Sequence, residues 1–327
     1  MKILGIETSC DETSAAVVQD GVIVLSNVVV SSLKEHAQFG GIIPEIASRR
    51  QMESIHAVVQ LALNKAGVGF DDIDQIAVTR SPGLIGSLLV GLCFAKGLAR
   101  ALNKPLIEVD HIKAHLYANF LRMPDQARDP YPQLPAIGLV VSGGHTSLFK
   151  IKDFTHYRLL GQTRDDAAGE AFDKVARILN LGYPGGPVID RLAKEGVTNE
   201  IRFPQAPLKG NFDFSFSGTK TAVLYYTRKH EHDDGFLAAK VAYAFQESVV
   251  DILVEKAFYA CHRFNIDTLL IGGGVAANSR LRKKLLERAA DEKVSVHVPP
   301  MSLCLDNAAM IAGLGTQLTG LHNFAIK

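Results

Sequence analysis

His111 and His115 stand four residues apart in Asp110-His-Ile-Lys-Ala-His115. On a helix that spacing stacks both imidazoles on one face, where they can reach one metal ion together. Two ligands do not complete a site, and core or surface histidines account for the same pattern. Ile112 sits where a zinc peptidase of the H-E-x-x-H type carries its glutamate, which counts against that chemistry. A third, hard ligand has to come from elsewhere. Asp306, at the start of the final helix, is one source, and it serves equally well as an N-cap.

Three small-residue turns follow strand-like runs. They are the segment 7–14, Ser142-Gly143-Gly144-His145, and Gly272-Gly-Gly-Val-Ala-Ala-Asn278. Such turns point backbone N–H groups into a concavity, and a helix starting behind them adds its positive end, so they suit phosphate. One alone is an ordinary tight turn; three at strand ends favour a nucleotide cleft. Neither G-x-x-x-x-G-K-[ST] nor G-x-G-x-x-G occurs, which removes the P-loop and dinucleotide readings. Asp166, Glu170 and Asp173 fall at i, i+4 and i+7, gathering three carboxylates on one predicted helix face. That face is either solvated, with Glu170 bridging Lys174, or a ribose-binding edge. Tyr183-Pro-Gly-Gly-Pro187 forces a rigid turn that permits close ligand approach or simply connects two elements. Basic clusters occur at Arg49-Arg50, at Arg228-Lys229-His230, and at Arg280, Arg282, Lys283 and Lys284. Clusters of this kind are mostly solvated helix faces.

These groups must be held by alternating strands and helices. The chain has 327 residues, 47% hydrophobic and 21% charged, which suits a soluble globular protein of two domains, or of one large α/β unit, with ample core. Its net charge of +1 gives no chain-wide attraction to nucleic acid, so such a partner needs local patches. The cysteines Cys10, Cys93, Cys261 and Cys304 lie far apart without a C-x-x-C pair, as expected of reduced thiols in the cytoplasm. The apolar run before Glu7 is too short for a signal peptide, and the uncharged stretch 81–95 is shorter than the ~20 residues of a spanning helix, so no membrane is expected.

Runs 3–6 and 15–18 flank the first turn as a hairpin, and 136–141 and 148–151 flank the second in the same way. The echo points to a duplicated architecture. Between the copies, 121–135 carries four prolines and marks the lobe boundary. In the first half, helices are expected over 44–66 and from Pro82 to about Leu102, with Gly83, Gly86, Gly91 and Gly97 available for close packing. Strands are expected at 73–78 and 106–109, with a helix from about Asp110. The second half calls for helices at 166–180, from Pro187, at 236–263 and at 278–290. Strands are expected at 268–271, at 294–298 and at 212–216, where Phe212, Phe214 and Phe216 alternate.

Taken in order, these motifs stop being anonymous. Leu4-Gly-Ile-Glu-Thr-Ser-Cys-Asp-Glu-Thr13, the histidine pair, Val141-Ser-Gly-Gly-His-Thr146 and Asp166-Ala-Ala-Gly-Glu-Ala-Phe-Asp-Lys174 come first. Tyr183-Pro-Gly-Gly-Pro187, Phe214-Ser-Phe-Ser-Gly218, Gly272-Gly-Gly-Val-Ala-Ala-Asn278 and Asp306-Asn307 follow. Together they closely resemble the bacterial TsaD family over nearly the whole chain.

The resemblance implies an actin-like, sugar-kinase-like (ASKHA) duplicated two-lobe fold with mixed sheets and a nucleotide in the interlobe cleft. By that likeness the N-terminal lobe covers 1–128, joined by a C-terminal helix at 306–327, and the second lobe covers 129–305. The family transfers a threonylcarbamoyl group from threonylcarbamoyl-adenylate to N6 of adenine 37 in tRNAs reading codons that begin with A. The resemblance makes His111, His115 and Asp306 ligands of a divalent metal, iron (Fe2+) or zinc (Zn2+). It places Asp173, Gly186, Asp190 and Asn278 against the nucleotide, with Val140, Val141, Ser142, Gly143 and Gly144 as the phosphate-side turn. Asp11 or Glu12 would assist proton removal or orient the substrate. The adenine nucleotide is the adenylate substrate or bound ATP. Partners implied are the tRNA anticodon loop, a paralogous TsaB-like subunit, a TsaE-like P-loop ATPase and a separate enzyme that makes the adenylate.

Ser81, Lys113 and Leu305 depart from the family's usual residues, and none removes a proposed ligand. The chain ends at Lys327, slightly short for the family, with an expected effect on tail contacts to tRNA or partners. The competing readings are a small-molecule kinase of the same fold and a nucleotide-dependent scaffold. Magnesium-dependent phosphoryl transfer uses carboxylates and water rather than imidazole, so the histidine pair counts against the kinase.

Overall fold

Each half of the chain opens with an apolar hairpin around which a five-stranded sheet assembles. The computed structural model describes residues 1–124, 131–197, 200–205, 210–230, 232–233 and 236–319. They fall into two compact units, Met1–Pro132 with Pro299–Lys327, and Gln133–Val298. The 128/129 boundary expected from the proline-rich segment lies outside the described residues, as does the end of the expected C-terminal helix from residue 320 onward.

In the first unit β1 (Lys2–Glu7) pairs antiparallel with β2 (Glu12–Gln19), and β2 with β3 (Ile23–Ser31). After the short α1 (Leu33–Ala37) comes α2 (Pro44–Ala66). Its bounds follow from Pro44 at the first helical turn and Gly67 in the left-handed conformation (φ 66°) just past the end. β4 (Gln75–Ser81), α3 (Ile85–Leu102), β5 (Leu106–Asp110) and α4 (His111–Tyr117) complete the run, and the sheet order is β3-β2-β1-β4-β5.

α3 starts three residues later than Pro82 suggests. The reason is tertiary: Leu84 N–H donates to the Ser9 carbonyl, and a Cβ on Gly83 would come within 2.5 Å of that same oxygen. Gly91 packs as closely on Thr8, whereas Gly97 faces open space, so only some of the expected close-packing glycines serve that purpose. By length and composition alone α3 is apolar enough to cross a membrane, which the uncharged stretch 81–95 did not indicate. Its Ser87, Gly91, Ala95 and Ala99 are buried, with Ala95 and Ala99 in one apolar cluster with Ile6, Ile76 and Val78 of the sheet, while the rest of the helix is partly or largely exposed, Ile85 and Leu89 included.

The second unit repeats the plan with β6 (Ala136–Val141), β7 (Thr146–Ile151) and β8 (Tyr157–Gln162). Then follow α5 (Ala168–Ile178), α6 (Gly185–Ala193), α7 (Ser217–His230) and α8 (Ala238–Phe264). β9 (Thr268–Gly272), α9 (Ser279–Glu292) and β10 (Ser295–His297) close it. The order β8-β7-β6-β9-β10 matches the first sheet position for position, with the same antiparallel hairpins and parallel neighbours. Duplication is therefore visible in topology.

The expected strand at 212–216 is absent. Only Phe214 bridges to Thr163, donating its N–H to the Gln162 carbonyl. The next amides, Phe216 and Ser217, donate to the Asp165 carboxylate (2.8 and 3.2 Å), which turns the chain into α7 instead of extending a ladder. Phe214 and Phe216 are nonetheless buried, so the period-two pattern reported burial correctly and pairing wrongly.

α10 (Ala308–Leu318) returns to the first unit and lies across β1. A Cβ on Gly5 would overlap the Ala308 carbonyl, so the contact requires glycine there.

Candidate active site

β5 delivers the chain to α4 through Asp110, whose side chain accepts the Lys113 N–H at 3.0 Å and caps the helix. The cap starts the helix at His111 and so places His115 one turn on, on the same buried face. Their Nε2 atoms are 3.2 Å apart. Asp306 Oδ1 lies 3.1 Å from His115 Nε2 and 3.5 Å from His111 Nε2. All three donor atoms fall within 4.8 Å of one another, the only group of this kind among the described residues. Asn307, not Asp306, caps α10 by accepting the Met310 N–H at 3.2 Å. The Asp306 carboxylate faces the histidines.

The electrostatics are those of a buried, charge-dense spot. Burial alone would lower the His111 pKa, but the Glu7 and Asp306 carboxylates overcome it and raise the value to about 9. Burial keeps His115 below the ordinary imidazole value, with the charge of His111 adding to it. Glu7, fully buried, is pushed up by burial yet held below the usual carboxylate range by His111. Burial and the charges of Asp306 and Asp11 push Glu12 well above that range. Asp11 accepts from Ser31 Oγ at 3.1 Å.

Two borderline-soft imidazole nitrogens and one hard carboxylate oxygen, converging within hydrogen-bond distance, fit a single divalent ion such as zinc or iron. The facing Nε2 atoms approach to 3.2 Å with a proton on one of them, a place that a shared cation can take instead.

The second unit holds the glycine turns. Ser142 Oγ accepts the His145 N–H at 3.1 Å, closing the turn between β6 and β7. Cβ atoms added at Gly143, Gly144 or Gly186 would meet nothing within 4 Å. Val140 and Val141 are fully buried in β6. Gly273, at φ +90°, passes directly over the Val141 carbonyl, a conformation and an approach that exclude a side chain.

The polar residues expected at a nucleotide have partners already. Asp173 Oδ1 accepts the Gly185 N–H at 2.7 Å at the start of α6, and burial raises its pKa. Asp190 accepts Ser279 Oγ at 2.9 Å. Asn278 caps α9 by accepting the Arg280 and Leu281 N–H groups (3.0 and 2.9 Å) and donates to Gln246 at 2.8 Å.

The expected triple carboxylate face does not form. Asp166 precedes α5 and takes Lys174 and Lys220, both at 2.6 Å, Glu170 pairs with Lys174 at 2.8 Å, and Asp173 turns to α6. The basic run on α9 is also largely consumed: Arg280 and Lys284 pair with Glu247, and Lys284 with Asp251 as well.

Residues 23–313 match the family model of TsaD, tRNA N6-adenosine threonylcarbamoyltransferase. Relatives bearing that name include proteins of Syntrophus aciditrophicus (52% identical over 97% of this chain and 92% of its own) and Anaeromyxobacter sp. strain Fw109-5 (54%, 97% and 94%). The chain belongs to the TsaD family. Among solved structures it is similar in fold to component A of (R)-2-hydroxyglutaryl-CoA dehydratase from Acidaminococcus fermentans. There the TM-score is 0.55 at 14% identity, covering 97% of this chain and 98% of that one. Full-length HypF gives a TM-score of 0.62 at 15% identity, covering 97% of this chain and 55% of HypF. Both support the actin-like architecture of a TsaD-family chain.

In this TsaD-family chain, motif reading passed over Glu7, which lies 3.0 Å from His111 Nδ1. β1 is buried on both faces, so no alternation distinguished Glu7 from its apolar neighbours. A charged residue ending an otherwise fully apolar run was the available signal.

Proposed function

We propose that the chain transfers a threonylcarbamoyl group from threonylcarbamoyl-adenylate to N6 of adenine 37 in tRNA, with His111, His115 and Asp306 holding one divalent cation. The convergence of those three side chains carries the reading. A cation bound there supplies Lewis acidity toward the adenylate. Ligation of His111 competes with its protonation, which the Glu7 and Asp306 carboxylates favour.

The N6 amine attacks the carbamoyl carbon, the new C–N bond forms, and the C–O bond to the AMP phosphate breaks. A proton must leave N6. Asp11 or Glu12 takes that proton or orients the substrate, and burial together with the charges of Asp306 and Asp11 favours the protonated form of Glu12. Gly143, Gly144, Asp173, Gly186 and Asp190 are assigned to the phosphate and ribose of the adenylate, and the open space where a Cβ at Gly143, Gly144 or Gly186 would stand supports that assignment. Position 37 lies in a single-stranded loop, where a base splays out at small cost. A paralogous subunit, a P-loop ATPase and a separate adenylate synthase complete the proposed system, in the cytoplasm.

Mass spectrometry of nucleosides from tRNA incubated with the adenylate, this protein and those partners tests the proposal. Threonylcarbamoyladenosine at position 37 is expected. Tight adenylate binding without product in the complete system would replace catalysis with a scaffold role.

A further inference from the structure

Glu7 ends β1 fully buried, and the proposed transfer chemistry leaves it unused. Its Oε1 accepts the Ser9 N–H, and its Oε2 accepts Thr79 Oγ and lies 3.0 Å from His111 Nδ1. A buried carboxylate is tolerated only when its neighbours donate to it. Ser9 N and Thr79 Oγ supply two donors, and His111 Nδ1, nearer to Glu7 Oε2 (3.0 Å) than to the Ser9 hydroxyl (3.2 Å), supplies the third when it carries the proton. With Nδ1 protonated, the neutral ring carries its lone pair on Nε2, the atom that faces His115 Nε2 and Asp306 Oδ1. His115 has no equivalent brace: its Nδ1 is buried without a hydrogen-bond partner. The two histidines therefore differ in how firmly their ligating nitrogen is set.

We infer that Glu7 is a positioning residue for the cation site, fixing His111 as the Nδ1–H tautomer and aiming its Nε2 at the ion. This rests on the metal reading above. An outer carboxylate on a ligating histidine orients the ring and raises its basicity, and its loss typically weakens metal binding by about 10- to 100-fold. Glu7 also accepts from Thr79 on β4, so its carboxylate ties β1 to β4 beside the first residue of α4.

Zinc affinity, measured on the full chain by competition with a chromophoric chelator, tests it in wild type, Glu7→Gln and Thr79→Val. Glu7→Gln is expected to bind zinc about 10- to 100-fold more weakly, and Thr79→Val, which leaves the carboxylate on His111, as tightly as wild type. Unchanged affinity in Glu7→Gln, or equal losses in both variants, overturns the inference. A second readout needs no variant. In zinc-loaded wild type labelled with 15N-histidine, His111 should be metallated at Nε2 and carry an exchange-protected Nδ1 proton. Zinc on Nδ1, or a freely exchanging Nδ1 proton, also overturns it. Wild type that takes up no zinc at His111 and His115 refutes the metal reading itself, a result distinct from either of these.

Discussion

Asp306 Oδ1 sits 3.1 Å from His115 Nε2 while the neighbouring Asn307 caps α10. Adjacent residues thus divide two tasks, one facing the histidines and one securing the start of the helix that follows.

That division separates two substitutions. Asp306→Ala should abolish tight zinc binding with little change in the melting temperature of the metal-free protein. Asn307→Ala should cost about 1 kcal/mol of stability through the lost cap and leave the ligand set intact. Parallel metal analysis and thermal melts check this; a fold that depends on Asp306 as strongly as on Asn307 contradicts it.

The glycines of the second unit divide similarly. Gly143→Ala and Gly186→Ala add a methyl group to open space, so stability should hold while AMP binding, measured by calorimetry, weakens. A Cβ at Gly169 would come within 2.6 Å of the Ser142 carbonyl. Gly169→Ala should therefore destabilise the unit by about 1–3 kcal/mol. AMP affinity unchanged in both open-space variants would remove the phosphate-side turn from the account.

Asp165 predicts a pH signature. Burial raises its pKa, but hydrogen bonds from Ser215, Phe216 and Ser217 overcome that and hold it below the ordinary value. A depressed folded-state pKa stabilises above the unfolded value of about 3.9, and that stabilisation is lost as pH falls through the lower folded value. Asp165→Asn should thus be less stable than wild type at neutral pH, with the gap closing in acid. Urea unfolding of both proteins from about pH 7 to about pH 3 reads it; a gap independent of pH contradicts the assignment.

Much of this was legible in residue order. The paired hairpins, the 44–66 helix and the i, i+4 histidines follow from local periodicity and end signals, which act over a few residues. What failed depended on distant partners. Phe214 and Phe216 are buried as their alternation suggests, yet Asp165 diverts the backbone from pairing. Asp166, Glu170 and Asp173 share a helical spacing, but the helix begins only at Ala168, and Lys220 and Gly185 draw the outer two apart. Glu7 could be singled out only as a charge ending an apolar run, because a strand buried on both faces has no polar phase to violate.

The central claim is that transfer to tRNA depends on the cation held by His111, His115 and Asp306. The direct measurement is the yield of threonylcarbamoyladenosine by mass spectrometry in the complete system, before metal removal, after it, and after one equivalent of zinc or iron is restored. The account predicts product from the loaded protein, none from the stripped protein, recovery on restoring the metal in wild type, and no recovery in His111→Ala. Full yield from stripped wild type would contradict it.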